Sequence, residues 1–414
     1  MTSDIMPASH ADRSRTQPPD FPMQRRCPFD PPAEYERLRA QEPVTKVRVP
    51  TGQIAWLVTR YEDVRRLLTD PRVSADRWHP NMPLTEDVTP QTRRNIAAFG
   101  ESLIGLDQPE HGPRRRMLIT EFTVRRMQTL RPHIQHTVDG CIDDLLAGPR
   151  PADLVDALAV RVPARTLCEL LGMPYEDRDL LERSATAQLR RGVSPQERQR
   201  NGVELRGYLD KLVSAKEADP TDDLLGRLIL RNRETKLYDH ELLVGLMMLL
   251  VIAGFETTAN MIALGVAGLL QQPEKVQAII DDPAAVGVAV EELLRYFTVV
   301  DALPRVAKGD IEVGGVPIRE GDGLLLSFLS ANWDEDVFSG ATRLDLDRDA
   351  RHHMAFGYGV HQCLGQNLAR EELQIVFRTI FTRIPTLRLA TSLEELPFKT
   401  DSNIYGLDEL PVTW

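Results

Sequence analysis

The stretch Phe356-Gly357-Tyr358-Gly359-Val360-His361-Gln362-Cys363-Leu364-Gly365 decides how the rest of the chain is read. Two glycines precede a lone cysteine, a third follows it, and Asn367 to Leu373 continues as a helix. Glycine permits positive φ and close backbone approach. Such a loop presents the sulfur at a helix N-terminus, where the dipole and free N–H groups favour thiolate over thiol. A thiolate held in this way suits an axial ligand of haem iron, because it pushes electron density toward bound dioxygen. Two plainer readings stand beside it. One is a buried free cysteine next to a glycine-rich turn. The other is a zinc site, since His352, His353, His361 and Cys363 lie close together. Structural zinc usually takes paired Cys-x-x-Cys or His-x-x-x-His ligands, and neither pair is here.

The chain has 414 residues, a 42% hydrophobic share and a formal net charge of −11. That share is ordinary for a globular protein. Length alone, at ~150 residues per domain, suggests two or three domains. No linker, charge run or internal repeat divides the chain, however. The expectation is one unit over 28–414, with 1–27 a disordered lead-in. The acidic balance argues against a nucleic-acid binder. Cys27, Cys141, Cys168 and Cys363 show no close pairing and read as reduced thiols of a cytoplasmic protein. The N-terminus lacks the apolar core of a signal peptide. The longest apolar run, Leu242 to Gly254, is shorter than the ~20 residues of a membrane span.

The other signals come in order. Val44–Arg48 and Ile54–Val58 read as a hairpin, and Tyr61–Thr69 as a helix. Val73–Ile104 has little periodicity. His111 and Arg115, four apart at the start of a helix, share one face. By themselves they read as solvated basic surface. Helices are expected over Val124–Leu146, Leu154–Leu171, Asp177–Arg190 and Gln196–Glu217, and from Asp222 onward. Tyr238 to about Gln271 is the longest, apolar nearly all round and therefore buried. Within it, Ala253-Gly254-Phe255-Glu256-Thr257-Thr258 breaks the apolar run. Small residues at 253 and 254 leave a groove, and Thr257 can bond back to the Ala253 carbonyl. A carboxylate in a buried helix needs a reason to be there. A groove beside an acid–alcohol pair suits dioxygen and a proton path. The plainer alternative is an acid paired with a surface arginine. Glu292 and Arg295, on a helix over Val288–Phe297, read alone as a surface ion pair of ~0–1 kcal/mol. Ile311–Ile318 is a hairpin with a Gly-Gly turn. Gly323–Leu329, Pro385–Ala390 and Ile404–Trp414 read as strands.

The cysteine segment resembles the haem-binding loop of the cytochrome P450 superfamily, Phe-x-x-Gly-x-(His/Arg)-x-Cys-x-Gly. Phe356, Gly359, His361, Cys363 and Gly365 fill every fixed place. Four motifs stand in that superfamily's order: His111/Arg115, Ala253–Thr258, Glu292/Arg295 and Phe356–Gly365. The whole pattern, including the closing Glu-Leu-Pro-Val-Thr-Trp, is most similar to actinobacterial members. The resemblance implies a mainly α fold with small β-sheets, a triangular prism. Haem b would lie between the long central helix and the Cys-ligand loop, with Cys363 as axial thiolate. His111, Arg115, Arg305 and His361 would hold the propionates. Phe356, Gly357 and Gly365 would flank the cofactor. Dioxygen would sit at Ala253 and Gly254, with Glu256 and Thr257 supplying protons. Leu249, Ile252, Ala253, Val300, Leu303 and Ile404 would line an apolar substrate pocket, and that set contains no aromatic residue. The two helices between Asp177 and Glu217 would form a lid, and Val73–Ile104 part of the roof. Glu292 and Arg295 would be a buried structural pair.

The activity so implied is monooxygenation with O2. It is hydroxylation or epoxidation of a hydrophobic macrolide-, terpenoid-, steroid- or drug-like molecule. Electrons would come from a separate ferredoxin and NAD(P)H-ferredoxin reductase, with no nucleic-acid or membrane partner, and the protein would be a monomer. Arg114 and Arg116 would face a surface where the redox partner docks. Trp333 stands where the family often has arginine, which touches proximal packing and docking. Two alternatives remain. One is a peroxide-driven or oxidative-coupling enzyme, which would more often lack the acid–alcohol pair. The other is a haem-based gas sensor or haem carrier.

Overall fold

A computed structural model describes residues 17–25, 27–83 and 101–414. Residues 84–100 of the expected roof, and 1–16 and 26 of the expected lead-in, lie outside them. Helix α1 (Glu34–Gln41) buries Tyr35 and Leu38 and leads into the antiparallel pair β1 (Val44–Arg48) and β2 (Ile54–Val58). Helix α2 (Tyr61–Leu67) turns Val64 and Leu67 inward. After β3 (Val73–Ser74) come α3 (His111–Ile119), α4 (Val124–Ala147), β4 (Ala152–Asp153) and α5 (Arg161–Leu171). The lid pair is α6 (Arg178–Leu189) and α7 (Pro195–Ala218). Then follow α8 (Leu224–Thr235), α9 (His240–Leu269), α10 (Pro273–Asp281) and α11 (Ala285–Phe297). Strands β5 (Ala302–Ala307), β6 (Ile311–Val313), β7 (Val316–Ile318) and β8 (Gly323–Ser327) precede α12 (Phe328–Asn332). The chain closes with α13 (Gln366–Arg383), β9 (Arg388–Leu389) and β10 (Pro411–Thr413).

Helices dominate, and the sheets are small. The largest has the order β1-β2-β8-β5-β3, with β2 and β8 parallel. The others are β4-β10-β9 and the β6–β7 hairpin, whose turn glycines Gly314 and Gly315 both take positive φ. Helix α9 starts where Asp239 accepts a hydrogen bond from the Leu242 N–H at 2.8 Å, satisfying an end group of the helix. It runs between α5, α6, α7, α11 and α13. By length and composition α9 could cross a membrane. Its residues from Asn260 to Leu269 are all buried inside this fold instead.

Several expectations are corrected. The described part of the lead-in is packed in part: Phe21 is buried, and its N–H donates to the Arg48 carbonyl. The strand expected over Gly323–Leu329 stops at Ser327, whose hydroxyl accepts the Ser330 N–H and starts α12. Leu154–Leu171 is interrupted by a π-turn over Val155–Ala159. The helix expected from Asp222 begins at Leu224, capped by Asp223, and Asp222 pairs with Arg227. Only Arg388–Leu389 and Pro411–Thr413 of the two terminal stretches are strands. Helix α10 is absent from the reading of the sequence. Trp333 is buried, its indole N–H donating to the Tyr296 carbonyl at 2.9 Å, so it packs the interior and offers nothing to a docking surface. Arg114 sits over the Tyr238 ring at 5.4 Å.

Glu292 and Arg295 have no exposed side-chain surface. The guanidinium donates to both carboxylate oxygens, at 2.7 and 2.8 Å, and to the Asn332 carbonyl at 2.7 Å. The carboxylate also accepts the Asp345 N–H and Arg348 Nε. The pair therefore ties α11 to the segment that enters the cysteine loop. Removing one partner strands a buried charge. Arg295→Ala is expected to cost ~3–5 kcal/mol, read from urea unfolding of the holoprotein. A loss below ~1 kcal/mol, the size for an exposed pair, would contradict this.

Candidate active site

Cys363 reaches the interior on a loop bent by two glycines. Gly357 and Gly359 stand at φ +68° and +72°, and a Cβ at Gly359 would lie 2.8 Å from the Leu68 carbonyl oxygen. A side chain at 359 therefore meets both a backbone clash and a strained φ. Gly365, at φ −82°, has no such requirement. The Cys363 N–H closes the loop on the Phe356 carbonyl at 2.7 Å. The Gly365 and Gln366 N–H groups turn toward the sulfur. The side chain is open onto an internal cavity, below the protein surface. Burial pushes the thiol pKa up, and the two N–H groups with Arg115 and Arg370 oppose that rise without cancelling it. The N–H groups at the helix start favour the thiolate, as expected, but do not by themselves outweigh burial to make one. A metal ion on the sulfur would, since a coordinating thiol is deprotonated outright.

The same cavity is walled by α9. Ala253 and Gly254 are exposed there, although Val251 and Phe255 beside them are buried. The Thr257 hydroxyl donates to the Ala253 carbonyl at 2.9 Å, as expected. Leu249, Ile252, Ala253, Val300, Leu303 and Ile404 all face this space. Its volume is about 1400 Å³, beyond the ~300–1,000 Å³ usual for one small ligand. Aromatic residues enter from places the sequence did not signal: Phe21, Phe398 and Tyr405 also line it. Glu256 differs from its neighbours. It is 2% exposed and turns away from the cavity wall toward Lys399, with Oε1 3.1 Å from Nζ. Its partner is thus a lysine near the C-terminus, where a surface arginine was the alternative.

A group of cation-forming side chains gathers at one end. His111 and His361 lie ring to ring, centroids 4.2 Å apart. Arg115 donates to the Gln362 carbonyl at 2.5 Å. Burial, then the neighbouring positive charges, lowers His111 to about 4 and His361 to about 3. Burial and Arg77 bring Arg305 down to about 10. Arg77 is a further member that a lone arginine in an aperiodic stretch could not announce. Both ring nitrogens of His111 are buried without a partner. The arginines repel one another and help keep the two imidazoles neutral, and a bound dianion would relieve this.

The zinc reading finds no geometry. His352 stacks on Phe338 at 4.4 Å, and His353 lies 3.2 Å from Glu291. Among the described residues no three His, Cys, Asp or Glu side chains converge to hold a metal. Glu291 also takes Arg370 in two bonds, fastening α11 to α13.

Glu372 on α13 is another residue the sequence did not flag. It is buried on the cavity wall, and burial pushes its pKa from 4.5 up to about 8, with Thr166 opposing in part. The folded chain therefore keeps this proton when the unfolded chain has lost it. Stability falls as pH rises from 4.5 and levels off above about 8. Glu372→Gln is expected to remove that slope and raise stability near pH 9 by on the order of 3 kcal/mol. Urea midpoints of the holoprotein near pH 5 and near pH 9 test it. Identical pH dependence in both proteins would contradict it.

A thiol, a cluster of basic side chains in which both His111 ring nitrogens lack a partner, and a cavity larger than one ligand fit a haem held through sulfur with its carboxylates among His111, Arg115, Arg305 and His361. The fold and site thus define a cysteine-ligated haem protein. A family model for cytochrome P450 matches residues 285–386. The chain is 46% identical over 404 residues to cytochrome P450 GfsF of Streptomyces halstedii, with 96% of each covered. It is 44% identical over 401 residues to the vitamin D3 dihydroxylase of Streptomyces griseolus, covering 96% of this chain and 98% of that one. The crystal structure of cytochrome P450 MoxA from Nonomuraea recticatena matches at TM-score 0.87 and 50% identity, over 95% of this chain and 98% of that one. The chain belongs to the cytochrome P450 family, as a haem-thiolate monooxygenase of the actinobacterial kind.

Proposed function

We propose that this monooxygenase hydroxylates or epoxidises a large apolar natural product of macrolide, terpenoid or steroid type, with Cys363 as the iron ligand. The observation that carries this is the cavity of about 1400 Å³, with Cys363, Ala253, Gly254 and Thr257 on its walls and mostly apolar side chains around the rest. Haem, when bound, supplies dioxygen activation. The chain's own residues do the remaining work. His111, Arg115, Arg305 and His361 anchor the propionates by charge and N–H donation. Ala253 and Gly254 keep the helix thin where dioxygen must fit. The Thr257 hydroxyl holds a proton on the cavity side, and Glu256 lies one residue away as its reservoir. Leu249, Ile252, Val300, Leu303 and Ile404 orient the substrate and exclude water. A steroid-like relative, the vitamin D3 dihydroxylase, supports the size class. Electrons come from a separate ferredoxin and its NAD(P)H-dependent reductase to a monomer in the cytoplasm, in keeping with four unpaired cysteines.

The test is product formation from apolar macrolides, terpenoids and vitamin D3 with NADH, ferredoxin and reductase. Spectral titration selects the compounds. The expected result is product that requires ferredoxin and O2. Equal turnover with hydrogen peroxide alone would favour the peroxide-driven alternative. Binding without turnover across the set would favour the sensor or carrier.

A further inference from the structure

The segment Lys399–Gly406 touches three things at once. Its Lys399 side chain pairs with Glu256, as described, and both side chains are nearly buried, at 11% and 2% exposure. Glu256 Oε2 is buried and has no partner. The segment also presses on α9 one turn further along. A Cβ at Gly406 would lie 1.8 Å from Asn260 Oδ1, and Asn260 Nδ2 donates to the Glu256 carbonyl at 2.9 Å. The Lys399 N–H donates to the Gly406 carbonyl at 2.9 Å, so the two contacts with α9 are braced against each other.

The far side of the same segment holds the tip of the lid. Arg191 Nη2 donates to the Thr400 carbonyl at 2.7 Å, and the Arg191 N–H to the Asp401 carbonyl at 2.6 Å. The Asn403 N–H donates to the Leu189 carbonyl at 3.0 Å. Arg190 pairs with Asp408 and lies 3.9 Å from Asp401. The lid turn between α6 and α7 is therefore fastened to the residues that flank Lys399.

We propose that Lys399 is the positioning residue for Glu256, and that it holds the acid in place only while the lid tip is latched to the Thr400–Asn403 stretch. A buried carboxylate needs a fixed partner to keep one orientation. The only side chain that supplies it among the described residues rides on a strip the lid can carry away. Lid closure and alignment of the acid thus become one event. The proposal rests on the reading of Glu256 as a proton reservoir, but its first test needs no turnover.

Amide hydrogen exchange is measured on haem-loaded, substrate-free protein. The Arg190→Ala/Arg191→Ala pair should speed exchange over residues 256–260 by about tenfold, within the usual span of coupling between sites. Exchange in the middle of α4 and the unfolding midpoint should stay as in wild type. Lys399→Met should speed the same exchange, with a lower unfolding midpoint because it strands the buried carboxylate, and Lys399→Arg should restore the wild-type rate. Wild-type exchange at 256–260 in the lid variant would overturn the link. Failure of Lys399→Arg to rescue would overturn the charge role. In turnover with vitamin D3 or another compound found above, Lys399→Met should lower product per NADH about threefold with KM nearly unchanged, as expected when orientation and not binding is lost. An active wild type with an equally coupled Lys399→Met sinks this proposal alone. A wild type that oxidises nothing sinks the functional reading and leaves the exchange result to decide this one.

Discussion

Cys363→Ala is expected to lose all product formation and the ferrous–CO Soret band typical of thiolate ligation. The sulfur opens onto the cavity, and the loop that carries it is shaped by Gly357 and Gly359 at positive φ. Cys27, Cys141 and Cys168 are not among the residues that line this cavity, so none of them stands ready to replace it. Cys363→His is the informative companion. Imidazole can retain haem, so a coloured but inactive protein separates loss of ligand type from loss of cofactor. Thiolate pushes electron density onto iron, and imidazole does so less. An unchanged ferrous–CO band in either variant would refute the ligand assignment.

The second large effect is expected at Thr257. Its hydroxyl donates back to the Ala253 carbonyl at 2.9 Å, which fixes the oxygen on the cavity side of α9. General acid–base groups are typically worth ~10²–10⁴-fold. Thr257→Ala removes the hydroxyl and keeps the helix, so product per NADH should fall by ~10²-fold, the lower end of that span. NADH oxidation should persist, with peroxide taking the missing electrons. Thr257→Ser, which keeps the hydroxyl, should remain close to wild type. Unchanged coupling in Thr257→Ala would remove Thr257 from the proton path.

What could be read in advance was local in sequence. The cysteine loop, the Ala253–Thr258 break in an apolar helix and the Glu292–Arg295 spacing each carry their meaning within ten residues. Residues whose roles arise from distant partners were silent. Lys399 meets Glu256 across 143 positions, and Asp301 accepts the Tyr35 hydroxyl across 266. Phe21 looked like part of a polar tail because its burial depends on a bridge to β1. Glu372 sits on a helix whose polar and apolar faces read normally, and only the cavity behind it makes its carboxyl unusual. The overrun of β8 had a different cause. A short apolar run does not distinguish strand from buried helix, and the Ser327 cap that decides it is one hydroxyl.

The most direct test is iron-edge X-ray absorption on the wild-type holoprotein and on Cys363→His. One sulfur neighbour at iron in the wild type, absent from the variant, is predicted. Iron surrounded only by nitrogen and oxygen in the wild type would contradict the account.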